Sequence, residues 1–253
     1  MGGALSAHPR FLNAGNAGPF TLDGTRTYLV GTRRVVVIDP GPEGAAHVAA
    51  LAEAVRDADE VRVVLTHGHR DHAPAAFALA ERLGVGVWGP EGLPAVDRPL
   101  RHGSVLSTDD GDLVAIDTPG HARHHVAFHW PSRRALFAGD LLLGRGATTW
   151  VGEYTGCVAD YLSSLERVRG LDLAVIYPAH GPPLEDPQEA VGRYESHRLE
   201  RVRQVEAALS ARPEMEESEL LGVVYGEGVP EAMHEAALHS VRALMEHVGY
   251  PRS

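Results

Sequence analysis

Residues 66–72 read Thr-His-Gly-His-Arg-Asp-His, and no other stretch restricts the fold of this chain as tightly. Three imidazoles and one carboxylate fall within six residues, immediately after the apolar, β-branched run 61–65. That run predicts a buried strand, and residues 73–83 predict a helix, which leaves the histidines on a strand-to-helix loop. Rigid elements on both sides of such a loop can hold side chains in fixed geometry. Neutral imidazole nitrogens and carboxylate oxygens are the donors that a zinc-like ion takes.

Composition narrows the class. The chain has 253 residues, 44% hydrophobic and 6% aromatic, enough for one large aliphatic α/β core with a small appendage. No apolar run approaches the ~20 residues that span a bilayer, so no membrane partner is expected. Residues 1–10 lack the charged start and apolar stretch of a secretion signal. The single cysteine, Cys157, excludes an internal disulfide and fits a reducing compartment. A cytoplasmic location is therefore expected. A formal charge of −11 argues against a large nucleic-acid surface.

Along the chain, residues 20–31 and 34–39 read as paired strands, and residues 44–56 as a helix. Asp39, at a strand end, reads equally as a solvated turn residue or as an acceptor steadying the histidine loop. After the metal-type loop come a short strand at 85–88 and an irregular stretch to residue 101. The layout then repeats, with strands at 113–117, 124–130, 134–138 and 173–177 and a helix at 158–169. Ligand-type residues recur at strand ends: His67, His69, Asp71 and His72, then His121, Asp140 and His180. Seven such residues on loops at one edge of packed sheets suit two metals rather than one. No G-x-S-x-G elbow is present, and Cys157 reads as a packed apolar residue rather than a nucleophile. His124, His125 and His129 lie near the motif residues in sequence but are not read as ligands, His129 fitting strand alternation as a packing residue, and the histidines elsewhere lack ligand-type spacing.

These motifs resemble the metallo-β-lactamase superfamily: His67-x-His69-x-Asp71-His72, His121 in Thr-Pro-Gly-His, Asp140 in Ala-Gly-Asp and His180 in Pro-Ala-His-Gly. The resemblance implies an αββα sandwich of two mixed sheets. It also implies one metal on His67, His69 and His121, a second on Asp71, His72 and His180, and Asp140 bridging both. Asp71 and Asp140 are then the candidate catalytic carboxylates. The cofactors expected are two divalent ions, zinc first, with manganese or iron as alternatives. The opening segment 13–31, the Gly139–Gly144 run and the His197-Arg198 pair further resemble the beta-lactamase-like-2 branch, although Arg26 stands where Asn is expected. That branch implies a phosphodiesterase or endoribonuclease acting on short single-stranded RNA. A thioester or ester hydrolase resembling glyoxalase II would use the same ligands on a small-molecule substrate. A mononuclear iron enzyme of the persulfide-dioxygenase type would leave Asp71, His72 and His180 without metal.

The tail divides from the catalytic region, residues 1–186, at about residue 187. Residues 187–209, 216–225 and 230–248 predict three helices resembling a winged-helix subdomain. From residue 187 to 253 there are 7 Arg against 12 Glu, a net of −5. This is the wrong sign for a groove-binding module. The tail is expected to pack on the sandwich, to wall the substrate cleft or to mediate a homodimer.

Overall fold

The computed structural model describes residues 8–250. Residues 1–7, which carry most of the reading against a secretion signal, lie outside the described residues, as do 251–253. Period-two burial builds the sheets. In β2 (Arg26–Val30), β3 (Arg34–Ile38) and β4 (Glu60–Val64), the side chains of Tyr28, Val30, Val36, Ile38 and Val64 enter one core. Their neighbours Leu29, Val35, Val37 and Val63 enter another, on the opposite face. A strand buried on both faces needs a near-continuous apolar run, and residues 35–38 supply one.

The first sheet has six strands, ordered β1-β2-β3-β4-β5-β6, with β1 Arg10–Asn13, β5 Val87–Pro90 and β6 Arg98–Leu100. The second has five, ordered β11-β10-β9-β8-β7: Val175–Pro178, Ala135–Gly139, Val126–Trp130, Gly111–Asp117 and Val105–Thr108. Both sheets are mixed, because β3–β4–β5–β6 and β10–β11 pair in parallel and the rest antiparallel. Tyr28 and Ile38 of the first sheet meet Phe128, Phe137 and Tyr177 of the second in a shared core. Helices α1 (Ala45–Ala54) and α2 (Pro74–Leu83) cover the outer face of the first sheet. Pro74 at the first turn and the left-handed Gly84 just past the end bound α2, close to the expected span 73–83. Helix α3 (Cys157–Arg169) covers the second sheet. The expected αββα sandwich is what forms.

Helices α4 (Pro187–Ala211), α5 (Glu217–Tyr225) and α6 (His234–His247) follow, with no strand among the described residues after 187. Val205, Leu209, Leu220, Val241 and Leu244 join the same buried cluster as Leu136, Leu165 and Ile176. Among the described residues no helix is long and apolar enough to cross a membrane.

Several expectations need correcting. Residues 20–25 are a turn-rich loop rather than a strand, and ladder pairing begins at Arg26. This loop is ordered by distant contacts instead: Thr25 bridges to His180, and Gly181 N donates to Asp23 Oδ1 at 2.9 Å. His124 and His125 precede β9 rather than belonging to it, and the short strands β1, β6 and β7 lie in stretches with no strand expected. Arg26, the departure from the family pattern, pairs with Asp23 at 2.9 Å and covers the Phe11 ring at 4.8 Å.

If the tail shares the sandwich's core, Leu244→Ala should destabilise the whole protein by about 2–5 kcal/mol. The check is a single cooperative melt at lower temperature. A separate early transition, with the main one unmoved, would show that the tail unfolds independently.

Candidate metal centre

All seven predicted residues meet at one edge of the sandwich, on the loops that leave β4, β8, β10 and β11. They form two groups, His67–His69–His121 and Asp71–His72–Asp140–His180, with donor atoms in each group within 4.8 Å of one another. His67, His72 and His180 are fully buried and His121 is nearly so, while His69 and Asp71 face the opening.

Outward hydrogen bonds fix which ring nitrogen faces inward. His72 Nδ1 lies 2.9 Å from Asp39 Oδ2, His121 Nδ1 lies 2.8 Å from Trp150 O, and His180 Nδ1 lies 3.3 Å from Gly24 O. These partners only accept, so each Nδ1 carries a proton and each Nε2 is the nitrogen turned to the centre. The fourth buried ring follows through a relay: His67 Nδ1 sits 3.0 Å from the Thr66 hydroxyl, which donates to Asp39 Oδ2 at 2.7 Å. The inward nitrogens crowd each other. His69 Nδ1 is 3.0 Å from both His67 Nε2 and His121 Nε2, and His72 Nε2 is 3.2 Å from His180 Nε2. Facing lone pairs at such distances repel unless a cation or a proton lies between them.

Asp140 spans the two groups. Its Oδ1 is 3.4 Å from His180 Nε2 and 3.5 Å from His72 Nε2, and its Oδ2 is 3.6 Å from His121 Nε2. Oδ1 is buried with no hydrogen-bond partner, an orphaned anionic acceptor of the kind a metal ion satisfies. Asp71 Oδ2 adds a second carboxylate 3.1 Å from His180 Nε2. Soft-to-borderline nitrogen with carboxylate oxygen therefore fits a divalent ion in both groups.

The electrostatics divide the two groups, with His67 and His121 lowered and His72 and His180 raised. Burial, reinforced by the neighbouring imidazoles, holds His67 well below the ordinary histidine pKa and keeps it neutral. Burial likewise takes His121 down to about 4. His72 moves the other way: burial disfavours its cation, but the carboxylates of Asp140 and Asp39 outweigh it. Asp140 stays ionised despite its burial because His180 and His72 stabilise its charge.

Sequence reasoning left Asp39 open and set His125 aside. Asp39 is an orienting acceptor, 1% exposed, taking Thr66 N–H at 2.7 Å as well as Thr66 O–H and His72. Its φ of 50° is an unusual backbone for a non-glycine residue, tolerated by Asp more than by most. His125 packs behind the cluster, with Nδ1 2.8 Å from the Thr118 hydroxyl and Nε2 accepting from Asp140 N at 3.3 Å. Gly139 leaves room for this arrangement, since a Cβ there would meet Thr66 Oγ1 at 2.7 Å and His125 Nε2 at 2.8 Å. No sequence spacing signals these contacts, because Asp39 meets Thr66 and His72 across 27 and 33 residues and His125 meets Asp140 across the β9–β10 hairpin. His129 sits in β9 outside both groups, as do the remaining histidines among the described residues.

A cleft of about 440 Å³ opens over His69, Asp71, His121 and Asp140. Its walls are mainly apolar, formed by Phe20, Leu143, Trp150 and Ala236, the last contributed by α6. Arg70 stands at its rim and makes no hydrogen bond or ion pair among the described residues. Arg123 and Arg145 line other depressions rather than this cleft.

Residues 20–180 match the model of the metallo-β-lactamase superfamily. Over 247 residues the chain is 30% identical to a beta-lactamase-like protein 2 homolog of Caenorhabditis elegans, spanning 91% of this chain and 80% of that one. It is 33% identical over 239 residues to an atrochrysone carboxyl ACP thioesterase of Aspergillus chevalieri, spanning 89% and 75%. A solved metallo-β-lactamase family protein from Thermus thermophilus superposes with a TM-score of 0.79 at 23% identity, covering 97% of this chain and 94% of that one. With residues 20–180, more than half of its length, matched and two His/Asp groups placed to hold metal, this chain belongs to the metallo-β-lactamase superfamily and is a metal-dependent hydrolase.

Proposed function

We propose that the protein hydrolyses a thioester or ester of a small, largely apolar acyl group, using two divalent ions, most simply zinc. His67, His69 and His121 would hold one ion and Asp71, His72 and His180 the other, with Asp140 between them. Such a pair, when bound, supplies Lewis acidity and brings the pKa of water toward neutrality, so no side-chain nucleophile is required. The chain's own residues then orient and enclose. Asp39 keeps His72 and Thr66 in place, and Trp150 O keeps the His121 proton outward. Phe20, Leu143 and Trp150 exclude water from the cleft and receive the acyl group.

The observation that carries the substrate reading is the apolar wall directly beside the donor cluster. A net charge of −11 and the separation of Arg123 and Arg145 from the cleft weigh against a polyanion. The thioesterase name borne by the Aspergillus chevalieri relative is consistent with the same reading. The endoribonuclease reading rests within the cleft on Arg70 alone.

Metal-loaded protein should turn over acyl thioesters of N-acetylcysteamine or coenzyme A and leave a short single-stranded RNA intact. RNA cleavage without thioester turnover would reverse the assignment. Asp39→Asn replaces an acceptor facing three donors with a group that is half donor. It should weaken metal affinity and turnover by roughly 10–100-fold, as losses of ligand-orienting groups generally do. Unchanged affinity in a competition titration with a chromophoric chelator would remove Asp39 from this role.

A further inference from the structure

Arg198, midway along α4, is 2% exposed and makes no ion pair with a carboxylate among the described residues. Its guanidinium donates to Thr149 O at 2.8 Å and to Ser240 Oγ at 3.4 Å, and lies 5.4 Å from the centre of the Tyr161 ring. Its Nε is buried without a partner. A buried charge so sparsely compensated is costly, and an apolar side chain of similar volume would dock three helices at lower cost. What the guanidinium adds is direction: a charge-assisted bond to one backbone carbonyl.

That carbonyl belongs to the segment that aims His121. Trp150 O accepts the His121 Nδ1 proton at 2.8 Å, and the Thr149 hydroxyl lies 3.3 Å from the same nitrogen. All three tail helices grip the segment from outside. Arg198 of α4 holds Thr149, Tyr225 at the end of α5 packs on the Trp150 ring at 6.1 Å, and Gly152 presses on the α6 backbone. A Cβ at Gly152 would lie 2.6 Å from the His239 carbonyl carbon, so the approach is too close for any other residue without movement.

We propose that Arg198 is a positioning residue for His121: by fixing Thr149–Trp150 it sets the direction of the His121 Nε2 lone pair and makes the C-terminal helices part of the metal centre. This rests on the metal-binding reading above, and the experiment separates the two. Apo protein is titrated with Co²⁺, following affinity and visible absorption, with the melting temperature of the apo form measured in parallel.

Wild type should bind cobalt at both groups. Arg198→Met should melt at or above the wild-type apo temperature, since it replaces a buried charge with an apolar chain. It should nevertheless bind cobalt about 10–100-fold more weakly at one site, with a shifted spectrum. Arg198→Lys, still able to donate to the carbonyl, should recover part of the loss. Wild-type cobalt affinity and spectrum in a folded Arg198→Met protein would overturn the proposal and leave Arg198 as a packing residue. Should the Met variant fail to fold, Arg198→Gln, whose shorter side chain stops short of the Thr149 carbonyl, decides by the same criteria. A wild-type protein that binds no cobalt would instead defeat the metal reading itself.

Discussion

Five imidazoles turn ring nitrogens toward one another at the edge of this molecule, and most of the architecture serves to hold them there. Three of the five rings are fully buried, and the inward nitrogens approach to 3.0–3.2 Å. Such a cluster needs partners to orient it, because facing nitrogens repel wherever no proton or cation lies between them. Each buried ring must be aimed by an acceptor behind it: Asp39 for His72, the Thr66 relay for His67, Trp150 O for His121 and Gly24 O for His180. These acceptors come from four separate loops, which only a stiff double sheet can hold in mutual register. The αββα sandwich is the solution to that constraint.

The cleft follows from the same layout. With the donors at one edge, the loops that orient them also wall the opening, and Phe20, Leu143 and Trp150 make that wall apolar. The tail closes one side through Ala236 while its buried residues merge with those of α3 and β10. Tyr194 of α4 tightens the arrangement, accepting from Leu143 N at 3.0 Å and donating to Leu143 O at 2.9 Å, so the loop carrying a cleft residue is fastened to the tail.

Much of this was legible in the sequence because the signals are local. A β-branched run followed by a dense histidine motif marks β4 and its loop, and the helix expected at 73–83 forms as α2. Ligand-type residues at successive strand ends imply convergence before any contact is seen. The unreadable parts are long-range. Residues 20–25 carry strand-like composition but are ordered by Asp23 reaching Gly181 and Thr25 reaching His180, more than 150 residues away. Asp39 looks like any turn aspartate until the Thr66 and His72 donors arrive. His125 and Arg198 carry no ligand-type spacing, and only their buried contacts, with Asp140 N and with Thr149 O, reveal them.

The central claim is that two divalent ions bind with Asp140 between them, and metal content tests it most directly. Protein purified without added metal or chelator, analysed by plasma mass spectrometry, should carry two divalent ions per chain, one for each donor group. Folded Asp140→Ala should retain fewer than two, since Asp140 Oδ1 and Oδ2 face different groups. Metal-free wild-type protein that also resists reconstitution would contradict the account, as would Asp140→Ala holding two ions at wild-type affinity.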